Sequence, residues 1–170
     1  MACIIDAGTT LGCFEAGGIR RILIGTYDGT AIFDDSAVPG LIDAITTTSQ
    51  FYIFEQEIES ASLSQTVSVN RQGGTIKFSQ SVAMILQGLT IETRNAFQML
   101  STAPLHIIVQ DNNGRYWLVG EKNGARVDSA DFNSGLALDD NAGASMSMLG
   151  VEAVSAKEVE ASAAEGLLIP

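Results

Sequence analysis

Alternating apolar and polar residues between Phe51 and Leu86 predict one very long β-hairpin. Two extended runs flank a glycine-containing turn at residues 70–74, and each run is about twice the ~5–6 residues of a usual strand. The returning run places one apolar set on a single face: Ile76, Phe78, Val82, Met84 and Leu86. The outgoing run does the same with Ala61, Leu63, Val67 and Val69. Mostly small polar residues occupy the other face of both runs.

A hairpin of this length exposes strand edges that a chain of 170 residues has difficulty covering. Exposed edges favour association with other chains. We therefore interpret the hairpin as an assembly element that pairs with copies of the same chain around a ring. The residues assigned to this contact are Leu63, Val67, Val69, Arg71, Gly73, Gly74, Ile76 and Phe78.

The remaining apolar runs predict further short strands, so the expected fold class is mainly β. These runs are residues 17–25, 41–45, 105–110, 115–120, 125–129 and 144–151. A loop through Asp34 and Asp35 separates the first two. The pair Asn113-Gly114 predicts a type I′ hairpin turn between two of the later strands.

A single helix is predicted over about residues 90–102. Thr90 is a suitable N-cap, Glu92 lies in the first turn, and apolar residues recur after it at helical spacing. Pro104 marks the end of the helix. Residues 1–156 are therefore expected to form one domain, and residues 157–170, rich in Ala, Glu and Ser, a C-terminal tail or contact arm.

Composition narrows the function classes. A hydrophobic content of 46% with 17% charged residues indicates a folded chain. The net charge of −11 argues against a protein that holds nucleic acid through phosphate contacts, although it suits a surface past which DNA slides. The sequence has neither a membrane-spanning apolar run nor a basic signal segment, so we expect synthesis in the cytoplasm and no membrane contact.

The candidate chemistry favours structural interpretations. Cys3 and Cys13 are expected to stay thiols, with a disulfide as the less favoured alternative. His106 lies in an apolar strand without an evident catalytic partner. The segment Asp111–Gly114 resembles the start of a calcium loop, but Lys122 stands where the closing Glu belongs. We expect no cofactor, no metal and no enzymatic activity; an enzyme with an unrecognised site is the weakest alternative.

An acidic set precedes the hairpin turn. Glu55, Glu57 and Glu59 are spaced by two, which predicts one shared face if the strand continues through them. Three like charges repel one another, so that face is expected to be wet. The two interpretations are a negative lumen wall and an ordinary solvated outer face.

The order of these elements resembles that of phage tail tube proteins and of the tube proteins of contractile injection machines. The chain also resembles small virion proteins from phages of Bacteroidota and aquatic bacteria. The likeness covers most of residues 10–152 and rests on four segments: Gly17-Gly18-Ile19-Arg20-Arg21, Gly73-Gly74-Thr75, Thr93-Arg94-Asn95, and residues 109–120, Val109-Gln110-Asp111-Asn112-Asn113-Gly114-Arg115-Tyr116-Trp117-Leu118-Val119-Gly120.

This resemblance implies a tail-tube-like β-sandwich or barrel with one flanking helix and a long hairpin that packs against neighbours. It implies a virion structural protein of the phage tail, whose hexameric rings stack into a channel for genome delivery. The expected partners are copies of itself and other tail or neck proteins, with DNA passing through the lumen without specific binding. A head-to-tail connector ring, a neck ring or a tail terminator of the same fold is the alternative, followed by a monomeric β-sandwich binding module.

Overall fold

The structure, a computed structural model, describes residues 15–136, 140 and 142–168. Strands dominate, so the predicted mainly β class is confirmed. The strands are β1 (Ile19–Thr26), β2 (Ile32–Asp35), β3 (Leu41–Thr46), β4 (Phe51–Glu55), β5 (Ser62–Asn70), β6 (Thr75–Gln87), β7 (Leu105–Asp111), β8 (Tyr116–Val119), β9 (Ala125–Asn133), β10 (Gly143–Glu152) and β11 (Lys157–Val159). The helices are α1 (Ile91–Thr102) and α2 (Ala161–Glu165).

All described strands belong to one mixed sheet that does not close into a barrel, so the barrel part of the expected fold is wrong. The order of its main path is β2-β3-β11-β8-β7-β9-β10-β6-β5. Strand β1 lies off this path and pairs with both β7 and β4. Every pair is antiparallel except β11 with β3. The end strands β2, β4 and β5 each have one edge without a partner strand in the described part of the chain.

The central strands β1 and β7 are buried on both faces. Ile22 of β1 faces one hydrophobic cluster and its neighbour Leu23 faces another, as the period of two requires. In β7, Ile107 and Ile108 divide in the same way. The first cluster also holds apolar residues of β6, β10 and α1, so the sheet curls over onto itself around that core.

The helix prediction is confirmed at both ends. α1 begins after Thr90, whose Oγ1 accepts a hydrogen bond from the Thr93 N–H at 3.1 Å. It ends at Thr102, two residues before Pro104. Leu100 is buried, and Ala96 and Phe97 pack against the first cluster, so α1 flanks the sheet as expected.

The long hairpin exists, but it begins at Ser62 and not at Phe51. β4 pairs with β1 instead, and a turn containing Glu59 at a φ of 65° separates it from β5. Phe51 draws β4 to this position, because its buried ring lies over Gly25 of β1, where a Cβ would come within 2.9 Å of the ring. The hairpin itself comprises β5, nine residues long, and β6, thirteen residues long.

The predicted C-terminal tail is also wrong for the described residues. β11 lies between β3 and β8, with Val159 buried in the second cluster. α2 follows directly and buries Ala164 in the same cluster. Residues 157–168 therefore complete the domain, because one buried residue in a three-residue strand is too short a signal for periodicity to detect.

Two loop predictions need correction. Asp34 and Asp35 lie in strand β2, which pairs with β3, and not in a loop. The turn at Asn113-Gly114 is not type I′, because of the two only Gly114 has a positive φ. Asp111 accepts from the Gly114 N–H at 3.2 Å and its own N–H donates to Arg115 at 2.9 Å, which describes a three-residue loop ending in a left-handed glycine.

Candidate functional site

The outer half of the hairpin carries an apolar face that no described part of the chain covers. Val67 lies opposite Phe78, and Val69 opposite Ile76, in the antiparallel register of β5 and β6. Residues directly opposite each other in a sheet project to the same face. These four side chains therefore form one patch, called here the hairpin patch.

The hairpin patch continues the buried face of β6. Val82, Met84 and Leu86 on that face lie in the first cluster, and Val82 is 0% exposed. Beyond them the exposed fraction rises: Ile76 is 49%, Val67 56% and Val69 59% exposed, while Phe78 is half-buried. The same face of the hairpin thus begins inside the core and ends in solvent, and the pair Gln65 and Gln80 separates its buried from its exposed apolar residues.

The outer end of the hairpin extends beyond the neighbouring strand β10. β10 pairs with β6 only from Phe78 onward, so residues 75–77 have a single neighbouring strand, β5. At the base, Gln65 donates to Ser155 Oγ at 3.0 Å and accepts from the Ala156 N–H at 2.9 Å. The segment past this anchor, residues 66–78, is called here the protruding hairpin.

The tip of the protruding hairpin is held in shape by its own side chains. Asn70 Oδ1 accepts hydrogen bonds at 3.1 Å from the N–H groups of both Gln72 and Gly73. Gly74 closes the turn with a φ of 62°, a region that glycine adopts without strain. Arg71 and Gly73 therefore lie in an ordered turn at the tip of the protruding hairpin.

The other face of the hairpin is polar and smooth. Thr66 lies opposite Ser79 and Ser64 opposite Ser81, all of them small hydroxyl side chains. Ser68 lies opposite Lys77, which with Arg71 supplies the charge of the hairpin. No acidic residue occurs between residues 62 and 87. The hairpin thus has a charge of +2 in a chain whose net charge is −11.

The three predicted lumen acids do not share a strand face. β4 ends at Glu55, and Glu57 and Glu59 lie in the loop and turn that follow. All three side chains are exposed, and Glu55 lies 3.9 Å from Arg21. The strand premise of the lumen interpretation is therefore wrong, because the chain turns before the period of two can extend to Glu57.

Two of these acids, Glu55 and Glu57, border a groove that sequence reasoning missed. A groove of about 840 Å³ lies between the end of β4, the end of β6 and the first turn of α1. Its lining includes Ile53, Ile58 and Ile85 as well as Glu55, Glu57 and Glu92. The available signal was Ile58, an apolar residue set between two glutamates, which is 84% exposed.

Glu92 is held as a carboxylate at this groove. Its own backbone N–H, followed by the Thr90 hydroxyl, hydrogen-bonds the carboxylate and lowers its pKa from the usual range. Both donors belong to the N-terminal turn of α1, where the helix leaves N–H groups without intrahelical partners. The groove therefore keeps negative charge at its helix side.

His106 and Asp111, two candidates from the sequence, make structural contacts. His106 is buried, with Nδ1 2.7 Å from the Gly120 carbonyl oxygen and Nε2 3.3 Å from that of Asp28. Asp111 Oδ1 accepts from the N–H groups of Asn113 and Arg115, which is the bonding of a turn. Among residues 15–136, 140 and 142–168, no group of three His, Cys, Asp or Glu is placed to hold a metal ion.

Two sequence predictions have limited structural counterparts. Cys3 and Cys13 lie outside the described residues. The helices in the described ranges are all too short or too polar to cross a membrane.

Comparisons of the chain with protein-family models, curated proteins and solved structures returned no match.

Proposed function

We propose that this protein is a structural subunit of a phage virion, forming rings, most simply hexameric, that stack into a tail tube. The observation that carries the proposal is the hairpin patch. A folded chain places Val67, Val69 and Ile76 on an ordered, protruding element and leaves them about half exposed. Apolar residues on a preformed protrusion are suited to burial by a neighbouring subunit.

The edges of the sheet support assembly as well. The outer edge of β5 presents nine residues of backbone without a partner strand among the described residues. Natural proteins protect such edges, or use them to pair with another chain. The edge of β5 carries no charged residue along its length, so it has little protection against pairing.

The charge distribution fits a channel for genome delivery. DNA carries about one negative charge per ~1.7 Å of its axis, and a strongly basic wall holds it through many phosphate contacts. A subunit with a net charge of −11 gives a ring that repels DNA on most of its surface. DNA then passes through the lumen without specific binding, and other tail or neck proteins meet the ring at its ends.

Electron microscopy of the purified protein tests this proposal. Stacked rings or tubes in negative stain support the tail tube. Isolated rings that never stack favour the alternative of a head-to-tail connector, neck ring or tail terminator. A monomer at all concentrations, measured by sedimentation velocity, overturns both and favours a monomeric binding module.

A further inference from the structure

Two surfaces of this chain have complementary character and lie far apart. The hairpin patch is apolar, and the basic Arg71 lies in the turn at its outer end; Lys77, the other basic residue, projects from the opposite face. The groove beside α1 is lined by apolar and acidic residues. Both surfaces expose apolar side chains, and their charges are of opposite sign.

Within one copy these two surfaces cannot meet. The groove is lined by Ile85 at the inner end of β6, while Ile76 of the hairpin patch lies at the outer end of the same strand. Nine residues separate them, which at ~3.4 Å per residue is about 30 Å along a rigid, paired strand. The hairpin therefore cannot fold back into its own groove, and only a second copy can bring the two together.

The charges favour the same pairing. Glu55, Glu57 and Glu92 border the groove, and Arg20 is the single basic residue that lines it. The groove therefore has a formal charge of about −2, opposite in sign to Arg71 at the tip of the hairpin. Opposed patches steer two copies into one register, and they disfavour contacts of hairpin with hairpin or groove with groove.

The apolar content matches as well. Ile53 and Ile58 are exposed at the groove and lie on β4 and the turn after it. The groove volume of about 840 Å³ lies within the ~300–1,000 Å³ of pockets that enclose a compact ligand. It provides room for a few side chains of a hairpin edge.

We propose that the protruding hairpin of one copy docks into the groove of the next copy, with Val69 and Ile76 against Ile53 and Ile58. Arg71, in the turn at the end of this face, then lies against Glu55, Glu57 and Glu92, while Lys77 projects from the opposite face of the hairpin. This inference deepens the proposed function and rests on its self-assembly. It assigns Glu55 and Glu57 to the contact between subunits and not to the lumen.

The contact is head-to-tail, since it joins two different surfaces. A head-to-tail contact gives a closed ring when the rotation closes, and an open filament when it does not. Each subunit then uses its hairpin once and its groove once. A single contact type is sufficient to build the whole ring.

Crosslinking between two differently tagged variants tests the contact directly. In a background of Cys3→Ser and Cys13→Ser, one variant carries Val69→Cys and the other Ile58→Cys. A short bis-maleimide is expected to join the mixture into heterodimers at least ~10-fold more than when Val38→Cys replaces Ile58→Cys; Val38 is also exposed, at 58% against 84%, but is remote from the groove. Equal yields for both mixtures overturn the proposal.

Charge reversal gives an independent test. Variant H carries Arg71→Glu, and variant G carries Glu57→Lys and Glu92→Lys. Each alone is expected to assemble about tenfold more weakly, because hairpin and groove then repel. A mixture of H and G restores assembly, since each hairpin again meets a groove of opposite charge, and the restored contact weakens with salt.

The control for charge alone exchanges exposed residues elsewhere, with Arg126→Glu and Asp128→Lys, which leave assembly unchanged. Failure of the mixture to restore assembly overturns the docking. The two proposals fail separately. If tubes form but the crosslink does not, the tail-tube proposal stands and the docking proposal is wrong. If the crosslink forms but the protein never makes rings, the docking proposal stands and the tail-tube proposal is wrong.

Discussion

Replacing two residues of the hairpin patch by serine, Val69→Ser with Ile76→Ser, is expected to weaken assembly strongly while leaving the subunit folded. Val69 is 59% and Ile76 49% exposed in the subunit. Full burial of such a side chain contributes ~1.5–3 kcal/mol, so burial of the remaining half contributes roughly 1 kcal/mol for each residue. Losing both weakens each contact by roughly 2 kcal/mol, which is about 30-fold in the association constant.

The effect multiplies around a ring, because every subunit contributes one such contact. The free energy of unfolding of the subunit should change by less than ~0.5 kcal/mol, since the replaced surface is already exposed and makes no core contact. Sedimentation velocity across a concentration series measures the assembly, and urea unfolding at a concentration below assembly measures the stability.

A matched control uses two residues of similar exposure on the opposite end of the sheet. Val38→Ser with Ile32→Ser replaces side chains that are 58% and 56% exposed. This variant is expected to assemble like the native chain. If both double variants assemble alike, or if the hairpin variant loses more than ~1 kcal/mol of subunit stability, the hairpin patch is not the coupling surface.

Three further predictions concern the domain itself. Hydrogen bonds from the Thr30 side chain and backbone lower the pKa of Asp28, so its contribution to stability is complete above its unfolded pKa near ~4 and is lost as the pH falls further. Asp28→Asn should therefore lower the melting temperature at pH 7, and the difference from the native chain should shrink below about pH 4. Burial opposes the charge of Lys157, but hydrogen bonds to two carboxylates at 2.7 and 2.9 Å outweigh it and raise its pKa. That stability is complete below the unfolded pKa near ~10.4 and is lost as the pH rises through the folded value. Lys157→Met should thus cost about 1–3 kcal/mol in urea unfolding at pH 7 and less at strongly alkaline pH. Gly25→Ala should cost about 1–3 kcal/mol, because its methyl group meets the ring of Phe51; a neutral result places that ring elsewhere.

Local patterns were sufficient wherever the determining contacts are close in sequence. The N-cap at Thr90 and the stop before Pro104 are short-range chemistry, and both ends of α1 follow from them. The alternation of β6 also survives in the structure, because Val82 and Met84 face one core throughout. The mainly β class and the long hairpin were therefore available from the sequence.

Partner choice was not available, because it is a long-range property. The residues next to Phe51 do not predict that its ring fits over Gly25. This contact accompanies the pairing of β4 with β1, which separates β4 from the hairpin. The same pairing ends the strand at Glu55, and so separates the three glutamates that the spacing had placed on one face. The parallel pairing of β11 with β3 is also a long-range contact. It places the C-terminal segment in the sheet, which local sequence patterns do not predict.

The candidate site divides along the same line. The sequence by itself predicted a long hairpin over residues 51–86 whose arms place apolar residues on one face, although its start at Ser62 came from the structure. Only the tertiary structure decided where that face leaves the core and becomes exposed, because this depends on where β10 stops pairing with β6. The groove also depends on the tertiary structure, since Ile58 is distant in sequence from Ile85 and Glu92 and meets them only when the sheet curls against α1.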